Sequence, residues 1–220
     1  MESQVTIHCK PVRLEGVLDQ KSSQKAVIIC HPHPLYGGDM DNPVVMAIAE
    51  AFSEKGATTL RFNFRGTGNS TGAFDNGTGE QEDIRAALDF LMDKGFQSIT
   101  LAGYSFGARM NAAVVSKGCR IEDHIMVSPP VAVMSFDDIE QMPYTGLIVT
   151  GRNDEIAPPD LIEKHIQRWG ISPRFDIIEN CDHFYSGGLK KLRTLLTDYL
   201  SGNFCNRGQA GSGYRPEIPE

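Results

Sequence analysis

The chain has 220 residues, 40% of them hydrophobic and 22% charged, and a formal net charge of −7 at pH 7. This length and composition are typical of one globular domain that can bury a sizeable core. The negative charge, with no basic run longer than Lys190-Lys191, argues against nucleic acid or an anionic membrane as the main partner.

Five scattered cysteines without a Cys-x-x-Cys pair predict neither a disulfide framework nor a zinc cluster. The first residues, MESQVTIHCKPVRLEG, lack the apolar core of a secretion signal, and no window reaches the roughly 18 apolar residues of a membrane span. We therefore expect a cytoplasmic protein with reduced thiols and no membrane association.

In chain order, VTIHCKPVRLEGVLDQ predicts an antiparallel hairpin, and KAVIIC (25–30) predicts a strand buried on both faces. NPVVMAIAEAFSEKG (42–56) predicts a helix that Asn42 caps, Pro43 begins and Gly56 ends. Further strands are predicted at 58–64, 98–103, 124–131, 146–151 and 174–180, and further helices at 80–95, after Ser105, at 159–170 and at 189–200.

This alternation predicts an α/β fold in which helices cover both faces of a mostly parallel central sheet. We assign residues 1–203 to a single domain and the Gly/Pro-rich residues 204–220 to a tail. Because ligands of such sheets bind beyond the carboxyl ends of the strands, the polar residues that follow each strand are the candidates for function.

The segment Gly-Tyr-Ser-Phe-Gly (103–107) lies between a predicted strand and a predicted helix. Gly103 and Gly107 permit a turn tight enough to hold Ser105 in a strained conformation with its hydroxyl free, as in the nucleophile elbow of hydrolases. The helix that follows would direct the N–H of Phe106 toward developing negative charge. A serine that merely begins a helix is the alternative.

His183 follows the last predicted strand and is the natural base for such a serine. Asp154 follows the strand 146–151 and would orient the imidazole, with Asp137 and Asp138 as rival carboxylates. The chain order Ser105, Asp154, His183 is that of an α/β-hydrolase.

The loop CHPHPLYGGDMDN (30–42) stands where an oxyanion loop is expected. Pro32 and Pro34 have no N–H, so the donor must come from His33, Leu35 or Tyr36. By analogy with the His-Gly-x loops of other hydrolases we select Leu35.

Two other motifs suggest different chemistry. His31-x-His33 is a metal-type spacing, but only His183 follows another strand as a further histidine ligand, so we predict no metal and no cofactor. RGTGNSTG (65–72) lacks the third glycine of a dinucleotide-binding loop, and we expect Arg65 to pair with Glu80 or Asp83 as a structural contact.

Taken together, HPHPLYGG, NFRGTGNSTG, GYSFGA, SPPV, GRNDEIAPP and CDHFYSGGLKKLR resemble the small bacterial α/β-hydrolases with an HPHP loop, relatives of dienelactone hydrolases. The similarity runs from about residue 5 to about residue 200. It implies an α/β-hydrolase fold without a large lid domain, the triad Ser105-His183-Asp154, and esterase or thioesterase activity. We expect the substrate pocket to include His33, Tyr36, Tyr104 and Tyr185.

Only PPVAVMSFDDIEQMPYT (129–145) occupies the usual position of a lid, which is too short for a large cap. An open pocket suits small or short acyl groups, or the acyl end of a bulky carrier. The predicted function is therefore hydrolysis of a small-molecule acyl ester or thioester. A peptidase or amidase with the same triad is the alternative, as is a non-catalytic binding module. The sequence carries no signal for an oligomeric state.

Overall fold

The computed structural model describes residues 1–21 and 24–206, without the side chains of residues 203–206. Within these residues eight strands form a sheet in the order β1-β2-β4-β3-β5-β6-β7-β8. The first two strands are antiparallel to each other, β2 is antiparallel to β4, and every pair from β4 to β8 is parallel. The strands are β1 (Glu2–Cys9), β2 (Val12–Asp19), β3 (Lys25–Cys30), β4 (Thr58–Phe62), β5 (Ser98–Tyr104), β6 (Asp123–Val127), β7 (Thr145–Gly151) and β8 (Arg174–Ile178).

Helices cover both faces of the sheet. They are α1 (Pro43–Glu54), α2 (Thr78–Asp93), α3 (Phe106–Ser116), α4 (Pro159–Trp169) and α5 (Leu189–Asn206). Side chains of α1 and α5 form the core on one face, and those of α2, α3 and α4 form the cores on the other. In the described part of the chain no helix is both long enough and apolar enough to cross a membrane. The predicted α/β architecture, including the opening hairpin, is confirmed.

The continuous apolar run of β3 follows from its central place in the sheet. Successive side chains of a strand point to opposite faces, so both faces here must be apolar. Val27 and Ile29 pack toward α1 and α5, whereas Ile28 packs toward α2 and α3. The apolar run AVIIC (26–30) is therefore required by two cores at once.

Two predicted boundaries differ from the observed ones by more than two residues. The strand predicted at 124–131 ends at Val127, because Ser128 adopts a positive φ of 46° and Pro129 and Pro130 have no N–H for a sheet hydrogen bond. The final helix continues to Asn206, and the Ser201 hydroxyl donates to the carbonyl of Thr197 at 2.8 Å. The boundary proposed at residue 203 thus falls within α5, and the remainder of the proposed tail, 207–220, lies outside the described residues.

The connection between β6 and β7 packs against the body of the domain. Its side chains Phe136, Ile139 and Met142 are buried together with Ile162 and Trp169 of α4. Residues 128–144 therefore cover the sheet and α4, and the expectation that they form no large lid is confirmed.

His31 joins the loop after β3 to the end of β4. Its side chain is fully buried, Nδ1 lies 2.7 Å from the Pro32 carbonyl oxygen, and Nε2 accepts a hydrogen bond of 3.0 Å from the Phe64 N–H. The neutral ring thus donates through Nδ1 and accepts through Nε2, and burial lowers its pKa from 6.5 to about 4. The neutral imidazole is a structural part of this loop.

This contact predicts a pH-dependent stability. Above pH 6.5 His31 is neutral in both the folded and the unfolded chain, whereas between pH 6.5 and 4 only the unfolded chain takes up the proton. The free energy of unfolding should therefore fall as pH decreases through this window, with His31 contributing up to about 1.4 kcal/mol per pH unit. Chemical unfolding at several pH values measures the slope of the free energy of unfolding against pH. In His31→Gln this slope should be smaller than in wild type by the contribution of one proton. His8→Gln, at an exposed position of β1, should keep the wild-type slope; an unchanged slope in His31→Gln would contradict this account.

Candidate active site

Ser105 occupies a sharp turn between β5 and α3. Its backbone has φ 53° and ψ −116°, a conformation that costs a non-glycine residue free energy. The turn needs glycine on both sides. A Cβ on Gly103 would lie 2.6 Å from the Ala108 nitrogen, and a Cβ on Gly107 would overlap the carbonyl oxygen of Cys30 at the end of β3. Helix α3 can begin this close to the sheet only because both positions lack side chains.

Three side chains from three separate loops meet at the carboxyl edge of the sheet. His183 Nε2 lies 2.9 Å from Ser105 Oγ, and His183 Nδ1 lies 2.9 Å from each carboxylate oxygen of Asp154. All three residues are buried, with 8% or less of their surface exposed. The parallel sheet brings them together because β5, β7 and β8 all end at this edge.

The environment of Asp154 favours its ionised form. Burial raises the pKa of the carboxyl, but hydrogen bonds from His183 and from the Ala157 N–H outweigh burial and hold it below its usual value. The N–H groups of Ile156 and Ala157 donate to Oδ1 at 3.0 and 2.7 Å. An ionised Asp154 keeps the proton of His183 on Nδ1 and leaves Nε2 free to accept the proton of Ser105. This arrangement can activate a serine for nucleophilic attack.

The rival carboxylates lie elsewhere. Asp137 accepts a hydrogen bond of 2.7 Å from Arg168, and Asp138 one of 2.6 Å from Arg109. Both are paired with arginine and neither contacts His183. Of the three candidate carboxylates, Asp154 is the one that contacts His183.

The HPHP loop differs from expectation at Leu35. Its N–H donates to His33 Nδ1 at 3.2 Å, because His33 caps the short 3₁₀ turn Pro34–Tyr36. Burial lowers the pKa of His33, which favours the neutral ring that this cap requires. The selection of Leu35 as oxyanion donor is thus not supported. Throughout the described residues, the backbone N–H groups of His33 and Phe106 have no hydrogen-bond acceptor.

The four expected pocket residues separate into two pairs. His33 and Tyr36 border the site: their rings are 4.8 Å apart, and the His33 ring is also 4.8 Å from that of Phe106. Tyr104 and Tyr185 are 3% and 0% exposed, so their assignment to an open pocket is corrected.

Each buried tyrosine hydroxyl has an internal partner, which explains the correction. Tyr104 Oη donates to the His183 carbonyl oxygen at 2.7 Å, and Tyr185 Oη lies 2.9 Å from Ser128 Oγ. Burial raises the pKa of both hydroxyls. They support the loop that carries His183 from beneath, and sequence reasoning missed this role because no pattern indicates where a tyrosine hydroxyl points.

The two motifs with alternative chemistry have structural roles. His31 and His33 use ring nitrogens to hold the loop itself, and the described residues contain no group of three His, Cys, Asp or Glu side chains that could hold a metal ion. Arg65 is buried and pairs with Asp83 at 2.8 Å, one of its two expected partners. Glu80, the other, accepts from the N–H groups of Asp75 and Gly77 at 2.9 and 2.7 Å.

Comparison with known proteins agrees with this geometry. Residues 25–144 match the family model described as alpha/beta hydrolase fold. An uncharacterized protein of Rickettsia prowazekii (strain Madrid E) is 36% identical over 200 residues, 86% of this chain and 84% of that protein. An alpha-beta serine hydrolase homologue from Coxiella burnetii is 38% identical with a TM-score of 0.84, covering 90% of this chain and 97% of its own. A serine hydrolase without lid from Xanthomonas campestris is 31% identical with a TM-score of 0.82, covering 91% and 94%.

The fold is that of the α/β-hydrolases, and two of the similar structures are described as a serine hydrolase homologue and as a serine hydrolase without lid. The chain belongs to the alpha/beta hydrolase fold family.

The serine turn predicts a strong effect of one methyl group. Gly107→Ala should push α3 away from β3 and destabilise the fold by about 1–3 kcal/mol, the usual cost of overpacking a core. Gly202→Ala is the matched control, since nothing lies within 4 Å of the added carbon in α5, and it should be neutral or slightly stabilising. Thermal unfolding measures the melting temperature of both variants, and Gly107→Ala should have the lower one. Equal melting temperatures would show that the turn tolerates a side chain.

Proposed function

We propose that this protein hydrolyses carboxylic esters or thioesters of small or short acyl groups through a catalytic triad of Ser105, His183 and Asp154. The observation that carries the proposal is the continuous hydrogen-bond chain from Ser105 Oγ through both nitrogens of His183 to Asp154. Esters and thioesters are preferred to amides because the HPHP-loop hydrolases that the sequence resembles imply esterase or thioesterase activity.

The first half of the proposed reaction forms an acyl-enzyme. His183 Nε2 removes the proton of Ser105 Oγ as that oxygen attacks the acyl carbon, and Asp154 stabilises the imidazolium that results. The tetrahedral intermediate then collapses, and His183 transfers the proton to the departing alcohol or thiol.

Water completes the reaction by the same route. His183 takes a proton from water, the hydroxide attacks the acyl group on Ser105, and the acid product leaves as the serine regains its proton. The connection 128–144 buries Phe136, Ile139 and Met142 against α4 and forms no large cap, which supports access of water and of a bulky leaving group.

Two backbone N–H groups suit the oxyanion. That of Phe106 is the first of α3, where the helix dipole favours negative charge. We assign the second donor to His33 in place of Leu35, because the N–H of Leu35 is bonded to the His33 ring whereas that of His33 is unpaired within the described residues. The ring contact of 4.8 Å between His33 and Phe106 supports a shared site.

The activity can be tested on p-nitrophenyl esters, acyl thioesters and aminoacyl amides. We expect wild type to cleave esters or thioesters faster than amides, and Ser105→Ala to lose that activity. Asp154→Asn should lower kcat by about 10⁴-fold, because the His183 tautomer is no longer held. Asp138→Asn, which removes a carboxylate paired with Arg109, should stay close to wild type. Faster amide cleavage would favour a peptidase, and a larger loss at Asp138 would exclude Asp154 as the triad acid.

Proline scanning of the HPHP loop tests the oxyanion donor. His33 has φ −59°, close to the value that proline imposes, so His33→Pro removes the N–H with little backbone change. We expect a loss in kcat of about 10²–10³-fold relative to His33→Ala, which removes the same ring and keeps the N–H. With an acetyl ester as substrate, Leu35→Ala should change kcat little, because only the backbone of Leu35 lies in the cap. Equal rates in His33→Pro and His33→Ala would show that the His33 N–H is not the oxyanion donor.

A further inference from the structure

The exposed apolar side chains are unevenly distributed. Seven large hydrophobic side chains are exposed among the described residues, and five of them lie in loops that follow β3, β6 and β8. Tyr144 directly precedes β7 and its carbonyl accepts from the His124 N–H at the start of β6, so it lies at the opposite edge of the sheet, and the other four lie at the carboxyl edge. These four, which we call the apolar rim, are Leu35 (67% exposed), Tyr36 (87%), Val133 (67%) and Phe184 (72%). Single exposed apolar residues are ordinary, but a group around one site marks a binding surface.

Two residues of the apolar rim lie close to Ser105 from different sides. The Phe184 ring is 5.7 Å from the ring of His183, which itself contacts Ser105. The Tyr36 ring contacts the His33 ring at a tilt of 56°, and the His33 ring contacts that of Phe106, the residue after the serine, at a tilt of 54°. Phe184 is thus one ring contact from His183, which contacts Ser105, and Tyr36 is linked through His33 to Phe106, which follows Ser105.

A third side of the rim lies along the start of α3. Arg109, one helical turn beyond Ser105, donates to the Ser135 carbonyl oxygen at 2.7 Å and holds the segment that presents Val133. Met134 packs into the core that contains Phe106. The rim is thus attached to the same turn that carries the serine.

The charges at this edge disfavour anions. The loops 31–42, 63–77, 128–135, 152–158 and 179–188 contain seven acidic residues, Asp39, Asp41, Asp75, Asp154, Glu155, Glu179 and Asp182, and two basic ones, Arg65 and Arg152. Both basic side chains are paired with carboxylates, Arg65 with Asp83 and Arg152 with Glu179. An anionic group bound here would meet repulsion and find no unpaired cation in these loops.

We infer that the acyl group of the substrate is an uncharged alkyl chain that lies along the apolar rim. This inference rests on the proposed function and specifies its substrate class. In the acyl-enzyme, the covalent bond to Ser105 holds the acyl group beside the apolar rim. The acyl group is therefore the ligand that the rim contacts. An open surface covers such a chain on one side, so each methylene gains part of the free energy of full burial.

The test is a series of p-nitrophenyl esters from acetyl to octanoyl, used below their micelle concentrations. Complete burial of a methylene corresponds to about fourfold in kcat/KM, and half burial to about twofold. We expect kcat/KM to rise about 60-fold from acetyl to octanoyl in wild type, the product of six twofold steps. Phe184→Gln combined with Tyr36→Gln should reduce this rise to about tenfold or less, since two of the four contacts are lost.

A matched pair of four-carbon acyl groups tests charge. The butyryl ester and the succinyl monoester have the same chain length, and succinyl ends in a carboxylate. We expect wild type to prefer butyryl by at least about 10²-fold, a penalty typical of placing a charge on an apolar surface among like charges. A preference for succinyl would overturn the inference.

Controls separate the possible failures. Met92→Gln alters an exposed apolar residue near the end of α2, outside the loops of the site, and should keep the wild-type rise of kcat/KM with chain length.

Two outcomes would overturn the role of the apolar rim and leave the proposed function standing. One is a flat chain-length series in an enzyme that cleaves the acetyl ester, and the other is an equal rise in the double variant. A wild-type dimer that dissociates in the double variant would assign the rim to a second copy of the chain and overturn it too. Failure to cleave any ester would reject the proposed function itself.

Discussion

The close approach of α3 to the end of β3 is the constraint on which the site depends. Gly107 lies against the Cys30 carbonyl, and Gly103 leaves room for the first turn of the helix. The backbone of Ser105 must reverse direction between them, and it does so in an unfavourable conformation that the surrounding sheet and helix stabilise. The same turn sets the positions of Ser105 Oγ and of the Phe106 N–H, so the proposed nucleophile and the proposed oxyanion donor depend on one packing contact.

The other polar groups are positioned by hydrogen bonds that leave little freedom. Asp154 is held by two backbone N–H groups, and the loop of His183 is held through its carbonyl by the buried hydroxyl of Tyr104. His33 and His31 stabilise the loop on the opposite side. A catalytic group works best when its geometry exists before the substrate arrives, and these contacts supply that order. The exposed apolar side chains lie outside this rigid centre, where a substrate can meet them without a lid.

The architecture and the hydrogen-bonded residues could be predicted from sequence because each rests on a local rule. Alternating strands and helices indicate the parallel sheet, the two glycines indicate the serine turn, and the positions of Asp154 and His183 after strands place them at one edge. The end of β6 was misplaced because SPPV is apolar, although its prolines cannot pair in a sheet. The proposed oxyanion donor in the HPHP loop depends on which backbone N–H the His33 ring occupies, and the roles of Tyr104 and Tyr185 depend on where their hydroxyls point. Tertiary packing decides both. Leu35 was selected by analogy with the His-Gly-x loops of other hydrolases. That analogy did not anticipate that the His33 imidazole accepts a hydrogen bond from the Leu35 N–H.

The central claim is that Ser105 is a nucleophile activated by His183. Reaction with a fluorophosphonate, followed by mass spectrometry of the protease-digested protein, measures this directly because the reagent bonds covalently to an activated serine oxygen. The account predicts a single adduct on the peptide that contains Ser105, and much slower labelling in His183→Ala. Labelling at another serine, or an unlabelled Ser105 in the folded wild-type protein, would contradict it.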